Sequence, residues 1–517
     1  MTISLPRKRP FEPAPPPGLR FENFRQICEN GFGDGHNSFA HSMAWFKNHL
    51  YVGTTRSNFC MIQVQKYFRD LNLAVWPIVE GPKDVDSLDT LDRRAQIWRY
   101  DPLEDSWQQV LRAPMVMGSD GKEVARELGY RAMAVVQGES DVEPVLYVAT
   151  WAPRRGPGPL ILRSEDGENF SVVSEYGILG LPITTTRLLV PFKGRLFTSP
   201  TGTRGKVVGQ FHVSGGQVNV SGIPILYESR DPANGQWREV SLPGFGEPEN
   251  EGIFMLCPFG EQLYAGTFNC RGFQIWRSDC EGEPPYKWTK VIDQGAYRGS
   301  LNQIAMSMAV FNDALYIGTG IQNGGHDHQN NIGPAAPELI RIFPDDSWDL
   351  IVGTRRDTPD GTKRPLSGLP PGFGNLFNGY FWCMEVHDGW LYLGTNNICV
   401  ILSWFLRDHY PNRSRRLLER VGVDNVVKHQ GGFALWRTRD GENWLNVNRH
   451  GFGTPYNIGA RNLVSTPYGL FLGTANPFGP RVAVKQDGEW IYSDNPRGGL
   501  EVWLGTKSDV NHSVKAE

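Results

Sequence analysis

Apolar residues in this chain come in short alternating runs cut by glycine- and asparagine-rich turns, and the runs recur in a fixed order. Each cycle opens on a turn such as Gly451-Phe452-Gly453, followed shortly by Asn457. An apolar run comes next, then a polar turn, then a run such as Leu470-Phe471-Leu472-Gly473-Thr474. The same succession is written from Gly31 through Asn37 to Thr54, from Gly244 through Asn250 to Thr267, and from Gly372 through Asn378 to Thr395. A third run carries an aromatic residue and usually an arginine, as in Gln96-Ile97-Trp98-Arg99 and Ala434-Leu435-Trp436-Arg437. A fourth starts with tryptophan and has valine three residues on, as at Trp107 and Val110 or Trp444 and Val447. Alternating runs of this length predict strands, and four in succession with short turns predict a meander.

Repetition on this scale has to be settled before any motif is read. Counted by the second run, the units number seven: five full copies end at Thr54, Thr267, Thr319, Thr395 and Thr474. Two eroded copies lie at Leu146–Thr150 and Leu196–Ser199. The fold predicted is an all-β, single seven-bladed β-propeller with helical insertions on one face. The last unit lacks a fourth run, and Phe24-x-x-Ile27 followed by Gly31 has the missing pattern. The expected domain is therefore 21–506, with 21–30 completing the last blade so that no radial seam stays open. A proline-rich arm, 1–20, and a polar tail, 507–517, are expected to be disordered.

Composition changes this picture little. Hydrophobic residues at 40% and charged residues at 21% describe an ordinary globular protein. A formal net charge of -3 gives no electrostatic reason to bind nucleic acid. No run approaches the roughly 18 to 20 apolar residues of a membrane span. Seven scattered cysteines without a CxxC pair point to reduced thiols, and the expected compartment is the cytoplasm.

Irregularity is one-sided. The insertions, Thr54 to Gln96, Gly320–Pro337, Asn396–Phe433 and Ala475–Arg497, all fall where a meander places its loops on one face. Dissimilar loops gathered on one face of a rigid scaffold suit a single deep site. The expected function is an enzyme of small-molecule metabolism with a small-molecule substrate. Its rival is a non-catalytic platform binding a protein or glycan, with Trp404, Phe405 and Leu406 as an apolar docking patch.

Two constellations carry candidate chemistry. His326-Asp327-His328 on a Gly324-Gly325 hinge offers nitrogen and oxygen ligands for one divalent metal, with His36, His41 or Asp34 to complete the set. Otherwise it is a polar loop bonding its own backbone. Arg56, Tyr456 and Asp424 lie in neighbouring units if the ring closes. Arg56 would orient an anion or leaving group, and Tyr456 and Asp424 would relay a proton. The recurring Asn37, Asn250, Asn302, Asn378 and Asn457 read as turn-capping residues rather than a site.

Ser164–Phe170 and Thr438–Trp444 resemble the Asp-box turn of sialidase-type propellers, a stabilising device found in propellers of many functions. The Leu-Tyr-x-Gly-Thr blades and one-sided insertions are similar to the propeller enzymes that alkylate resorcinols in Friedel–Crafts fashion, of the cylindrocyclophane type. That resemblance implies an alkylating transferase of secondary metabolism, with its site under the loops of one face and calcium as the metal.

Overall fold

The computed structural model describes residues 17–63, 73–79, 88, 91–203, 223–327, 330–406 and 412–507. The chain is mostly β, and its strands pair in antiparallel meanders of four. In the first unit Asn37–Phe46 pairs with His49–Arg56, which pairs with Gln96–Asp101 and then Ser106–Arg112. The fifth unit repeats this order with Ile304–Phe311, Ala314–Gly320, Leu339–Ile342 and Trp348–Val352. The third is broken, its first strand splitting into Ile183–Thr186 and Val190–Phe192. In the last unit Val502–Gly505 pairs on one side with Gly469–Ala475 and on the other with Phe24–Cys28, Phe24 lying opposite Gly505.

The recurring residues serve the meander. Each repeated asparagine is buried and donates from Nδ2 to the carbonyl of the preceding turn: Asn37 to Gly31 at 2.8 Å, Asn250 to Gly244 at 2.9 Å, Asn457 to Gly451 at 2.8 Å. The same nitrogen reaches the third strand, at Gln96 Oε1 (2.9 Å), Gln274 Oε1 (2.6 Å) or Glu501 Oε2 (2.7 Å). One side chain thus satisfies two buried acceptors, which is why the asparagine recurs. The turn's phenylalanine takes a left-handed backbone (φ 64° at Phe32) and stacks on the third strand's tryptophan, Phe32 on Trp98 at 4.5 Å and Phe373 on Trp436 at 4.3 Å. The recurring threonine accepts the third strand's backbone N–H, as from Gln96 to Thr54 at 3.0 Å and Glu501 to Thr474 at 2.8 Å. A Cβ on Gly473 would lie 2.6 Å from Cβ of Ala40, so the last unit packs on the first through a position only glycine can fill.

Two boundaries differ from expectation. Residues 17–20, assigned to the disordered arm, are ordered against the sixth unit. Leu19 is buried, its N–H donates to Tyr392 Oη at 2.7 Å, and its carbonyl accepts from Arg437 at 2.6 Å. At the other end Lys507, assigned to the tail, pairs with Asp388. Residues 1–16 and 508–517 lie outside the described residues. All seven cysteines are free thiols. Among the described residues no helix is long and apolar enough to cross a membrane.

The insertions meet in one apolar roof. Phe59 packs on Phe478 at 4.8 Å, Trp404 stacks on Phe478 at 5.4 Å, and Trp404 Nε1 donates to the Ala483 carbonyl at 2.8 Å. The helices Asn412–Val421 and Val423–Gln430 contribute Leu418, Val426 and Val427 to the same cluster. Trp404, expected on a docking surface, is 2% exposed, whereas Phe405 is half-buried and Leu406 is exposed.

Candidate functional site

In the innermost strand of most units the register slips by one residue against its partner. The slip isolates His41 in the first unit, Arg131 in the second, Phe254 in the fourth, Met306 in the fifth, Trp382 in the sixth and Arg461 in the seventh. In the third unit Arg187 occupies the break in the strand. A bulge re-aims the extra side chain away from the ladder. Here the re-aimed residues meet.

The Arg187 guanidinium lies 4.6 Å from the Phe254 ring centre and donates to Met306 Sδ at 3.5 Å. That of Arg461 lies 5.2 Å from the Trp382 ring. Trp382 packs edge-on against Tyr380 at 5.3 Å and against Phe39 at 6.1 Å, joining the cluster to the roof. A Cβ on Gly459 would lie 2.1 Å from the Trp382 ring, so a glycine in the seventh unit admits the indole over that strand. His41 packs against Trp151 at 5.8 Å, and its Nδ1 is buried with no hydrogen-bond partner.

The electrostatics follow from crowding like charges in a buried place. Burial, then the neighbouring Arg461 charge, pushes the Arg187 guanidinium down to about 9. Burial brings Arg461 down to about 10. Arg131 is lowered by burial and by both other arginines. Burial and the charges of Arg461, Arg131 and Arg187 push the His41 imidazole well below its usual range, so it is neutral at pH 7. Arg187 and Arg461 remain cations there. The arrangement is a positively charged, aromatic-walled cluster with one neutral imidazole, suited to holding an anion.

Of the sequence-derived candidates only His41 belongs to this cluster, and the others lie elsewhere. Arg56 is 3% exposed; it pairs with Asp34 at 2.7 Å and donates to Asn37 Oδ1 at 3.0 Å and the Asp92 carbonyl at 3.1 Å. In other units the same acceptor position receives Asn269, Asn397 or Asn476, so Arg56 fills a turn-bracing place. Tyr456 is part of the roof, 5.3 Å from Phe478, and Asp424 is exposed in the first turn of Val423–Gln430. His36 Nδ1 shares a hydrogen bond with Ser57 Oγ at 3.2 Å. His326 is half-buried, Asp327 accepts from Gln303 and Asn330, and His328 lies outside the described residues. Among the described residues no three His, Cys, Asp or Glu side chains are grouped to hold a metal ion.

The cluster carries a signal in the sequence. Each member sits four residues beyond the repeated asparagine: Asn37 and His41, Asn250 and Phe254, Asn302 and Met306, Asn378 and Trp382, Asn457 and Arg461. In the eroded units Glu127 precedes Arg131 and Ile183 precedes Arg187 at the same offset.

No protein-family model matches the chain, and no curated protein matches it. Among solved structures it is similar to an α-L-arabinanase of Penicillium chrysogenum with arabinobiose bound (TM-score 0.35, 11% identity, covering 70% of this chain and 89% of that one). It is also similar to puromycin hydrolase (TM-score 0.43, 10% identity, 90% of this chain and 54% of that one). A third is PorZ of Porphyromonas gingivalis, a bacterial surface component of type-IX secretion (TM-score 0.38, 12% identity, 91% and 55%). The chain thus spans about half the length of the last two. Likenesses this distant carry no argument about this chain's chemistry, and none supports the alkylating-enzyme resemblance.

Proposed function

We propose that the chain forms a closed seven-bladed propeller and that it is an enzyme of small-molecule metabolism working at the propeller axis, beneath the roof of insertions. One observation carries this reading: seven successive units each contribute one side chain from the same repeat position to a single cluster. A ring is the arrangement in which residues so far apart in sequence face one another. The bridge between Phe39 and Ala475 and the pairing of Phe24–Cys28 in the last unit support its closure. Uniform repeats that become chemically dissimilar at one place suit a site grafted on a scaffold. The guanidinium groups hold a bound acid as its anion, and neutral His41 offers it a hydrogen-bonding ring nitrogen. Alkylation finds no support in this chemistry. Of the apolar patch that a docking platform would use, Trp404 is buried and Leu406 is exposed.

The test is retention. Purified protein is equilibrated with a small-molecule extract, washed and denatured, and the released compounds are identified by mass spectrometry. The same is done with Met306→Trp, which fills the axis, its folding checked by near-UV circular dichroism. Compounds held by the native chain, lost from the variant and converted on incubation support the reading. An empty native chain, or the same compounds from both, overturns it.

A further inference from the structure

We infer that the axial cluster binds an organic carboxylate with a flat apolar body, its head held between Arg187 and Arg461. The inference rests on the axial site proposed above and names its ligand. The chain supplies its own control. Several of its other inward-placed arginines are answered by carboxylates: Arg195 by Glu228 at 3.1 Å, Arg163 by Asp141 at 2.6 Å, Arg356 by Glu338 at 2.9 Å, Arg341 by Asp349 at 2.9 Å, while buried Arg437 is answered by the Leu19 carbonyl at 2.6 Å. Among the described residues Arg187 and Arg461 have no such partner. Arg187 has a thioether sulfur and a ring face, and Arg461 has a ring face. A guanidinium carries five N–H donors, and a thioether is a weak acceptor, so most of this donor capacity points at nothing the chain provides. Uncompensated charge in such a place is costly unless an anion arrives. His41, 6% exposed with Nδ1 unbonded, adds a second unsatisfied group on the same cluster.

The walls choose the body. The Phe254 and Trp382 rings hold the guanidinium groups by their faces, which leaves the N–H edges free for a planar two-oxygen acceptor. Tyr380, Trp382 and Phe39 form a continuous aromatic surface leading from Arg461 toward the roof. A flat ring or conjugated chain fits beside it, and a sugar with hydroxyl groups on every edge would leave donors unpaired.

Titration calorimetry with benzoate, benzamide and inorganic phosphate tests this on the full chain. Benzoate is expected to bind, and benzamide, the same shape without the charge, to bind at least about 10-fold more weakly. Arg187→Met and Arg461→Met are each expected to lose at least about 10-fold in benzoate affinity, with Tm unchanged or raised because a half-buried charge without a carboxylate partner has gone. A merely structural arginine would instead lower Tm. The inference is overturned if benzoate fails to bind at its solubility limit, if benzamide binds equally, if phosphate binds more tightly, or if both variants keep full affinity. A neutral compound in the retention experiment would also overturn it while leaving the axial site standing; an empty chain there would remove both.

Discussion

Asn457 and Arg461 stand four residues apart at the entry to one strand, and the repeat treats them in opposite ways. The asparagine and its counterparts make the same bond in unit after unit, to a glycine carbonyl of the turn, and all but Asn378 also bond a Gln or Glu at the third strand. The arginine's counterparts are histidine, phenylalanine, methionine, tryptophan and two further arginines. The first position answers to its own unit, whose geometry is always the same. The second answers to the side chains it meets from other units, and these differ at each step. In a repeat protein, then, the recurring polar residue braces the scaffold, and the position that will not repeat deserves the search for chemistry.

The sharpest way to break that contrast is to remove both members. Asn457→Ala deletes buried bonds to Gly451 and Glu501 and should cost about 2–4 kcal/mol. Arg461→Met should cost nothing or stabilise, both read by urea unfolding. Equal losses at the two positions would erase the distinction.

A smaller effect comes from the unit in which the bracing position is acidic. Glu127 is fully buried beside Arg126 and Tyr130, and burial, only partly offset by Arg126, raises its carboxyl from 4.5 to about 7. Because the folded value lies above the unfolded one, the fold favours the protonated form. The stability this group contributes is full below about pH 4.5 and is lost as pH rises through about 7, a change of roughly 2–3 kcal/mol. Glu127→Gln should flatten that slope in a series of unfolding curves; an unchanged slope would show that this position is not strained by its acid.

The smallest expected effect separates bracing from chemistry at Arg56. Arg56→Ala should cost about 1–2 kcal/mol by releasing Asn37 and Asp34. Arg56→Asn, the residue other units use there, should cost less. Lost benzoate binding with unchanged stability would return Arg56 to the site.

The meander, the insertion face and the N-terminal strand of the last unit were legible because turn chemistry repeats: a buried asparagine bonding a glycine carbonyl leaves the same spelling each time. The cluster of Arg187, Arg461 and their neighbours was hidden for the converse reason. Its members are single residues of different kinds, widely separated, and they align only when counted from the asparagine. Two of the three arginines, Arg131 and Arg187, lie in the eroded units, where Glu127 and Ile183 replace that marker. Arg56 drew attention because a lone arginine after a strand looks available, and a sequence does not show that Asp34 answers it. The third donor to the asparagine oxygen, Asn269, Asn397 or Asn476 in other units, becomes visible only once the same spacing is applied to each copy.

The last sheet is assembled from both ends of the chain, and this sets a clock. During synthesis the strand Phe24–Cys28 is made long before its partner Val502–Gly505. At ribosomal speeds of about 5–20 residues per second, that wait is on the order of half a minute to a minute and a half. Throughout it the early strand has an unpaired edge, open to any passing chain. The basic residue Arg25 near the middle of that strand is one that edge strands use to discourage such partners, and in the finished fold it is claimed by Asp105 at 2.9 Å.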